Sequence, residues 1–399
     1  MAFSPTAPLA GAPLSRRLAD TQSSPVRELL RIAMRPEVIS LAGGLPAPDT
    51  FDVAGLGAAF AEVMAGPGAR RALQYSSTEG DPALRARLAA FMARRGLTVE
   101  ADDLLITTGS QQALGLIASA LSDPGDAILV EEPTYLAALQ AFQLADLRAL
   151  PVPCDEDGPL PDALVEAART SGAKAAYLIP TFQNPTGRTM PAERRAALAE
   201  AAAEAGLWLV EDDPYSALRL EGVDVDLLAA HAPERTIVIQ TLSKVLSPGL
   251  RIGYLRAPAA LRGPLTVAKQ AADLHTSTVA QMAAERWLAA HDLGTHSAGL
   301  AAHYRPRRDA LLAGLQEFLP PGTHCTEPEG GLFIWVTLPD GYDASAILPR
   351  ALDAGVAFVP GLYFYAGEPR PETLRVSFAT ATPAELRDGA ARLGAACGG

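Results

Sequence analysis

Lysine is nearly missing from these 399 residues: it occurs only at Lys174, Lys244 and Lys269, and arginine supplies the other 30 of the 33 basic residues. Asparagine is scarcer still, present once, at Asn184. Where composition disfavours a residue type this strongly, each survivor raises the question of whether its particular chemistry is needed. Arginine forms no stable Schiff base and cannot act as a base near neutral pH, whereas lysine can do both. Lys174, ahead of the apolar run AAYLI, reads as a chance survivor.

Cysteine is few and odd in number. Cys154, Cys325 and Cys397 are far apart, which suggests neither a disulfide framework nor a zinc-binding motif and suits a reducing cytoplasm. No metal is expected. No apolar run nears the roughly 18 to 20 residues that a membrane span needs. The start, MAFSPTAPLAGAPLSRR, lacks the basic-then-apolar order of a secretory signal. Positive charge is in deficit, with 33 Lys and Arg against 45 Asp and Glu and a net charge of -12. Such a field repels nucleic acid and anionic lipid, so an anionic ligand would have to be held by local arginines.

What is present describes a globular chain, 49% hydrophobic and 20% charged, longer than one core usually supports. From about Phe51 to Ala290, short apolar runs alternate with helix-like stretches. LLITTG, AILVEEP, AAYLIP, LWLVEDD and TIVIQTLS read as strands, and Gln111 to Leu121 and Pro191 to Ala205 as helices. That alternation predicts an α/β fold with a mostly parallel sheet. After His291 the pattern becomes a long helix through Leu319, then GGLFIWVTL, a helix around Ala344 to Ala354, VAFVPG, TLRVSFAT and a last helix, a smaller α+β unit. Ser23 to Met34 reads as a capped helix with proline in its first turn, which SLAGGLPAP cannot continue. The expected division is a flexible arm over 1–14, the N-terminal part of the small domain over 15–45, a large domain over 46–290 and the C-terminal small domain over 291–399.

The segment Thr241-Leu-Ser-Lys244-Val-Leu-Ser-Pro-Gly-Leu-Arg251 sets a lysine among hydroxyls at a strand end, with an arginine seven residues on. Those are the parts a phosphorylated aldehyde needs: Lys244 to form an imine, and Thr241, Ser243 and Arg251 to bind a dianionic phosphate. Upstream, LLITTG runs into Ser110 and Gln111, where a helix N-terminus would offer phosphate its backbone N–H groups; glycine turns between strand and helix are also common without a ligand. Asn184, in a proline-rich turn, could donate to a phenolate oxygen or simply shape the turn. In LWLVEDDPY, Asp212 sits three residues before Tyr215. A buried carboxylate there could keep a pyridine nitrogen protonated, making the ring an electron sink, with Tyr215 tuning its phenolate side. Acids at strand ends also cap helices, and only spacing sets Asp212 apart from Glu211 and Asp213.

SLAGGLPAP, LQYSSTEG, ITTGSQQAL, EEPTY, LIPTFQNPTG, VEDDPY, TLSKVLSPGLRIGY, KQAADLHT and LRVSFAT occur in this order from about Ser23 onward. Together they resemble the fold-type I, class I/II aminotransferases that depend on pyridoxal 5′-phosphate, and most closely the branch of 2-aminoadipate aminotransferases and MocR-like domains. The resemblance implies a large domain with a mostly parallel sheet plus a smaller α+β domain. It makes Lys244 the Schiff-base lysine and general base, Asp212 the pyridinium partner, Asn184 and Tyr215 the partners of the ring oxygen, and Tyr135 the stacking residue. Ser110, Gln111, Thr241, Ser243 and Arg251 would hold the phosphate, joined by Tyr75 from the neighbouring subunit of a homodimer. Arg375 would clamp the substrate α-carboxylate with Gly44 and Asn184 lining the same pocket, and Arg27 stands where relatives using dicarboxylic substrates can engage the distal carboxylate, a helix-surface arginine being the simpler reading.

The implied reaction moves an amino group from 2-aminoadipate, glutamate, leucine or an aromatic amino acid to a 2-oxo acid such as 2-oxoglutarate, in ping-pong order. The alternative is decarboxylation, elimination or carbon–carbon bond formation on the same fold, because one electron sink serves several carbanions. A DNA-binding regulator is disfavoured, since the matching motifs begin near Ser23 with no basic recognition helix ahead of them. Lys269 and His275 read as support for the dimer rather than as site residues.

Overall fold

The apolar runs become strands because the chain can bury them from both sides. In a computed structural model the described residues are Leu29, Arg35 and 37–398. The arm over 1–14 and Arg27 lie outside them, as does the helix expected over Ser23 to Met34, apart from Leu29, which is helical and buried. In chain order the strands are β1 (Ile39–Ser40), β2 (Leu104–Thr107), β3 (Ala127–Val130), β4 (Arg148–Pro151), β5 (Cys154–Asp155), β6 (Gly158–Pro159), β7 (Ala175–Leu178) and β8 (Trp208–Asp212). They continue with β9 (Thr236–Thr241), β10 (Gly253–Arg256), β11 (His324–Cys325), β12 (Phe333–Thr337), β13 (Val356–Ala357), β14 (Val359–Pro360) and β15 (Thr373–Ser377).

The central sheet has seven strands in the order β2-β10-β9-β8-β7-β3-β4. It is parallel except for β10, which runs antiparallel to β2 and β9. The five runs identified in the sequence are β2, β3, β7, β8 and β9. β4 and β10 lie outside those runs. β4 is a half-exposed edge strand ending in proline, a residue an edge tolerates, and β10 reads Gly-Tyr-Leu-Arg, which neither alternates nor forms an apolar run.

Side-chain alternation divides the sheet between two layers of helices. Ile128, Val130, Tyr177, Val210, Ile237 and Ile239 pack toward the helices Ser110–Leu121, Leu136–Leu144 and Ala259–Asp273. Leu129, Ala176, Leu178 and Leu209 pack toward Pro161–Ser171 and Ala192–Ala205. The carboxyl ends of β2, β3, β7, β8 and β9 all open on one edge, where ligands bind in open α/β sheets.

The remainder builds an antiparallel sheet, β11-β12-β15-β14, against the helices Leu293–Phe318 and Pro383–Cys397. β1 pairs in parallel with β13, and Leu41 bridges on, donating its N–H to Ala357 and accepting from Ser377 N–H. This carries Ala42 to Gly44 across to the edge of the large sheet.

Candidate active site

Alternation along β8 decides which of three consecutive acids reaches the site. Asp212 shares the face of Val210, while Glu211 and Asp213 take the opposite one. Glu211 accepts from the N–H groups of Leu228 and Ala229 at 3.0 and 2.9 Å and faces Arg195 at 3.8 Å. Asp213 accepts from Gln240 at 2.7 Å and lies 3.6 Å from Arg95. Both point away from Lys244 into structural contacts, although Asp213 Oδ1 is buried without a partner. Asp212 is buried; its Oδ2 accepts from the Tyr177 hydroxyl at 2.7 Å, and its Oδ1 is buried with no partner. Burial lifts its carboxyl to about 7, with Asp213 adding to the rise and Tyr177 and Lys244 opposing it. A buried oxygen without a donor is costly, and a protonated ring nitrogen would satisfy it.

Lys244 follows β9. Its Nζ donates to the Gly44 carbonyl at 2.8 Å and lies 5.8 Å from the centre of the Tyr215 ring. Burial first, then the charges of Arg375 and Arg251, lower the amine to about 8 against the pull of Asp212. A minor but usable fraction, roughly a fifth near pH 7.4, is therefore neutral and able to act as nucleophile or base, far more than for a lysine at its ordinary value.

At one end of this lysine is a cradle for an anion. Thr241 Oγ1 lies 2.9 Å from Ser243 Oγ and accepts from the Ser243 N–H at 3.1 Å. Gly253 of β10 pairs with Thr241 on one side and Thr107 on the other, which brings the start of helix Ser110–Leu121 alongside. Arg251 takes a left-handed backbone at φ 55° and lays its guanidinium against Gly109, where any Cβ would collide with it. Gly109, at φ 76°, also supplies a conformation that other residues rarely adopt. The N–H groups of the helix's first turn and the Arg251 charge suit a phosphate. Ser110 is half-buried at that turn, whereas Gln111 is exposed and donates its amide to the Ala137 carbonyl at 3.2 Å.

At the other end, Arg375 of β15 is buried between Phe333 and Phe364, its Cζ 4.1 and 5.0 Å from their ring centres. One terminal nitrogen donates to Asn184 Oδ1 at 2.9 Å, the other to the Ala42 carbonyl at 2.7 Å. Burial lowers the guanidinium to about 10, opposed by Tyr215 and Tyr135. Asn184 also hydrogen-bonds the buried Tyr215, whose phenol burial pushes far up, and Tyr215 meets Phe333 edge-on at 5.9 Å. Tyr135 is half-buried within the same electrostatic group, its phenol raised by burial and by Asp212. Gly44 passes so close to Phe333 that a Cβ would stand 2.8 Å from its Cζ.

The structure thus gathers Lys244, Asp212, Asn184, Tyr215, Tyr135 and Arg375 with Gly44, and sets Thr241, Ser243, Arg251 and Ser110 at the anion cradle. Tyr75 does not join this chain's own cluster: it is 77% exposed and meets His275 edge-on at 5.7 Å. Lys269 is buried under the first turn of helix Ser110–Leu121, donating to Gln112, Asp273 and Thr276 at 3.0, 2.8 and 3.1 Å. Lys174 pairs with Asp126 at the surface. Sequence reasoning missed Tyr177, Phe333 and Phe364. A tyrosine in a run as apolar as AAYLI was a usable signal, because a buried phenol needs a partner.

A lysine that can lose its proton, an unpartnered buried carboxylate oxygen, an amide–phenol pair and an anion cradle fit pyridoxal 5′-phosphate. The family model described as aminotransferase class I and II matches residues 59–393. The chain is 42% identical to aromatic-amino-acid aminotransferase 1 of Thermococcus litoralis, over 95% of this chain and 92% of that protein. It is 41% identical to 2-aminoadipate transaminase of Thermus thermophilus, over 95% of this chain and 94% of the other. The crystal structure of Pyrococcus horikoshii kynurenine aminotransferase superposes with a TM-score of 0.92 at 40% identity, covering 96% of each chain. The chain belongs to the class I and II aminotransferases and is a fold-type I, pyridoxal-phosphate-dependent enzyme that transfers amino groups.

Proposed function

We propose that this chain moves the amino group of an α-amino acid to 2-oxoglutarate or a similar 2-oxo acid in ping-pong order at Lys244, with 2-aminoadipate, glutamate, leucine and aromatic amino acids as donors. The observation that carries the reading is Arg375: a buried guanidinium held between two aromatic rings beside a lysine of lowered pKa. A planar fork of this kind binds a carboxylate through two parallel hydrogen bonds. Every donor and acceptor in such an exchange carries that α-carboxylate, so one clamp serves both halves of the cycle. Relatives named for aromatic amino acids, 2-aminoadipate and kynurenine support a broad choice of donor.

When bound, pyridoxal phosphate supplies an electron-withdrawing ring that stabilises the carbanion left when the substrate's α-C–H bond breaks. The chain's residues do the rest. Lys244 Nζ, whose lowered pKa leaves part of it neutral, would take and return the α-proton. Asp212 Oδ1 would accept a hydrogen bond from the ring nitrogen, Asn184 and Tyr215 would hold the ring oxygen, and Tyr135 would stack on the ring. Ser110, Thr241, Ser243 and Arg251 would fix the phosphate, with Gln111 contributing through its backbone N–H.

The working unit is a homodimer in the cytoplasm, its chains divided near residues 45 and 290 into large and small domains. Support for the dimer comes from the exposed apolar group Leu73 (71%), Tyr75 (77%) and Leu274 (39%), from which Tyr75 lends its hydroxyl to the neighbouring phosphate site. Support for the compartment comes from three cysteines that are all free thiols.

The test is an absorbance titration of the purified holoenzyme with glutamate, 2-aminoadipate and leucine in turn. The cofactor band should convert to that of the aminated cofactor and return on adding 2-oxoglutarate, with oxo acid and new amino acid formed one for one. Product without that pairing overturns the reading.

A further inference from the structure

β7 is buried on both faces, so the phenol that Tyr177 places within it must find a partner. Its ring meets Phe142 edge-on at 5.6 Å, and its hydroxyl donates to Asp212 Oδ2 at 2.7 Å. The direction is fixed, because burial and the Asp212 charge keep this phenol protonated. The two oxygens of Asp212 therefore differ: Oδ2 is held, while Oδ1 is buried and free. Several other groups face Asp212. Glu131 after β3 and Asp213 on its own strand repel its charge; Tyr135 and Tyr215 feel that charge; Lys244 attracts it but has its Nζ bonded to Gly44. Among the described residues, the donor to this carboxylate is Tyr177.

We propose that Tyr177 is a positioning residue: its hydroxyl pins Asp212 Oδ2, which orients the carboxylate, keeps it ionised and presents Oδ1 to the ring nitrogen of the cofactor. The inference rests on the reading of Asp212 as that nitrogen's partner. Without the hydroxyl, Oδ2 would face an apolar hole beside two other acids, and the carboxyl group would hold its proton to higher pH. A neutral acid pairs poorly with a protonated ring nitrogen, so cofactor affinity should fall, and fall most where the carboxyl is protonated.

Three variants separate the possibilities: Tyr177→Phe, Asp212→Asn, and Phe142→Leu, which disturbs the packing of Tyr177 but keeps its hydroxyl. Pyridoxal phosphate is titrated into each cofactor-free protein from about pH 6 to 9, with folding checked by circular dichroism. Tyr177→Phe should bind about tenfold to a hundredfold more weakly than wild type at pH 7, the worth of one hydrogen bond to a charged group, and the ratio should close toward pH 9. Infrared spectra of the cofactor-free Tyr177→Phe protein should show a protonated carboxyl band persisting to higher pH than in wild type, and Tyr177→Phe/Asp212→Asn should lack it. Asp212→Asn should bind weakly throughout, and Phe142→Leu should keep the wild-type pH profile. If Tyr177→Phe binds like wild type while Asp212→Asn does not, or if Phe142→Leu reproduces the Tyr177→Phe profile, the positioning role is overturned. If Asp212→Asn itself binds like wild type, the assignment of Asp212 fails first.

Discussion

Arg375 donates to the side-chain oxygen of Asn184 at 2.9 Å, and because a guanidinium has no acceptor atom, that bond orients the amide. The oxygen faces Arg375, and the NH2 group is left to donate toward Tyr215 and, on the proposed reading, toward the cofactor's ring oxygen. Asn184→Asp should keep the first contact and lose the second. It would also place a fixed anion against Arg375, in competition with the substrate carboxylate. KM for the amino-acid donor should rise about tenfold or more, a cost typical of one charge-assisted hydrogen bond; an unchanged KM in steady-state kinetics would count against the arrangement.

Arg375→Lys tests the clamp. Lysine keeps the charge but neither the planar fork nor the stacking between Phe333 and Phe364. With one of two charged hydrogen bonds lost, kcat/KM should drop about a hundredfold for both amino acid and oxo acid. A drop confined to one of them would mean that Arg375 does not serve both half-reactions.

The lysine chemistry has a pH signature. Lys244 is lowered to about 8 in the fold from 10.5, so its amine is charged below about 8 and neutral above it. Brief labelling of the cofactor-free protein with an amine-specific reagent, read by mass spectrometry, should give Lys244 a midpoint near pH 8. Exposed Lys174, raised by its bond to Asp126, should label only at higher pH. Because the chain holds three lysines, the two curves separate cleanly.

Asp212 predicts a trade of stability for function. Its folded pKa of about 7 lies above the unfolded value of 3.8, so the folded state binds the extra proton and loses stability as pH rises from about 4 to 7. In cofactor-free protein, Asp212→Asn should therefore gain stability over wild type as pH rises through that window, by on the order of 3 kcal/mol at pH 8 relative to pH 4. Urea unfolding at the two pH values measures it. An equal effect at both would mean that the carboxyl titrates normally.

Much of the site was legible because its chemistry sits where strands end. Five parallel strands announced themselves as apolar runs, and each carries its site residues just past its carboxyl end: Ser110 after β2, Tyr135 after β3, Asn184 after β7, Asp212 and Tyr215 at β8, and Lys244 after β9. Period-two alternation separates Asp212 from its two acidic neighbours, a stronger ground than its spacing from Tyr215. Other features depend on which segments meet in space. Phe333 and Phe364 are some 30 residues apart in the chain, and only the pairing of β12 and β14 with β15 brings their rings to Arg375. The antiparallel β10 is hidden for a related reason: its partners, β2 and β9, are distant in sequence from each other, and its own four residues carry no pattern.

On the proposed reading, everything turns on Lys244 as the residue to which the cofactor is bonded. The most direct measurement is to reduce the holoenzyme with borohydride, digest it and locate the pyridoxyl-phosphate adduct by mass spectrometry. The adduct should fall on Lys244 and be lost in Lys244→Ala. An adduct on Lys269 or Lys174, or an unmodified Lys244 in active enzyme, would contradict it.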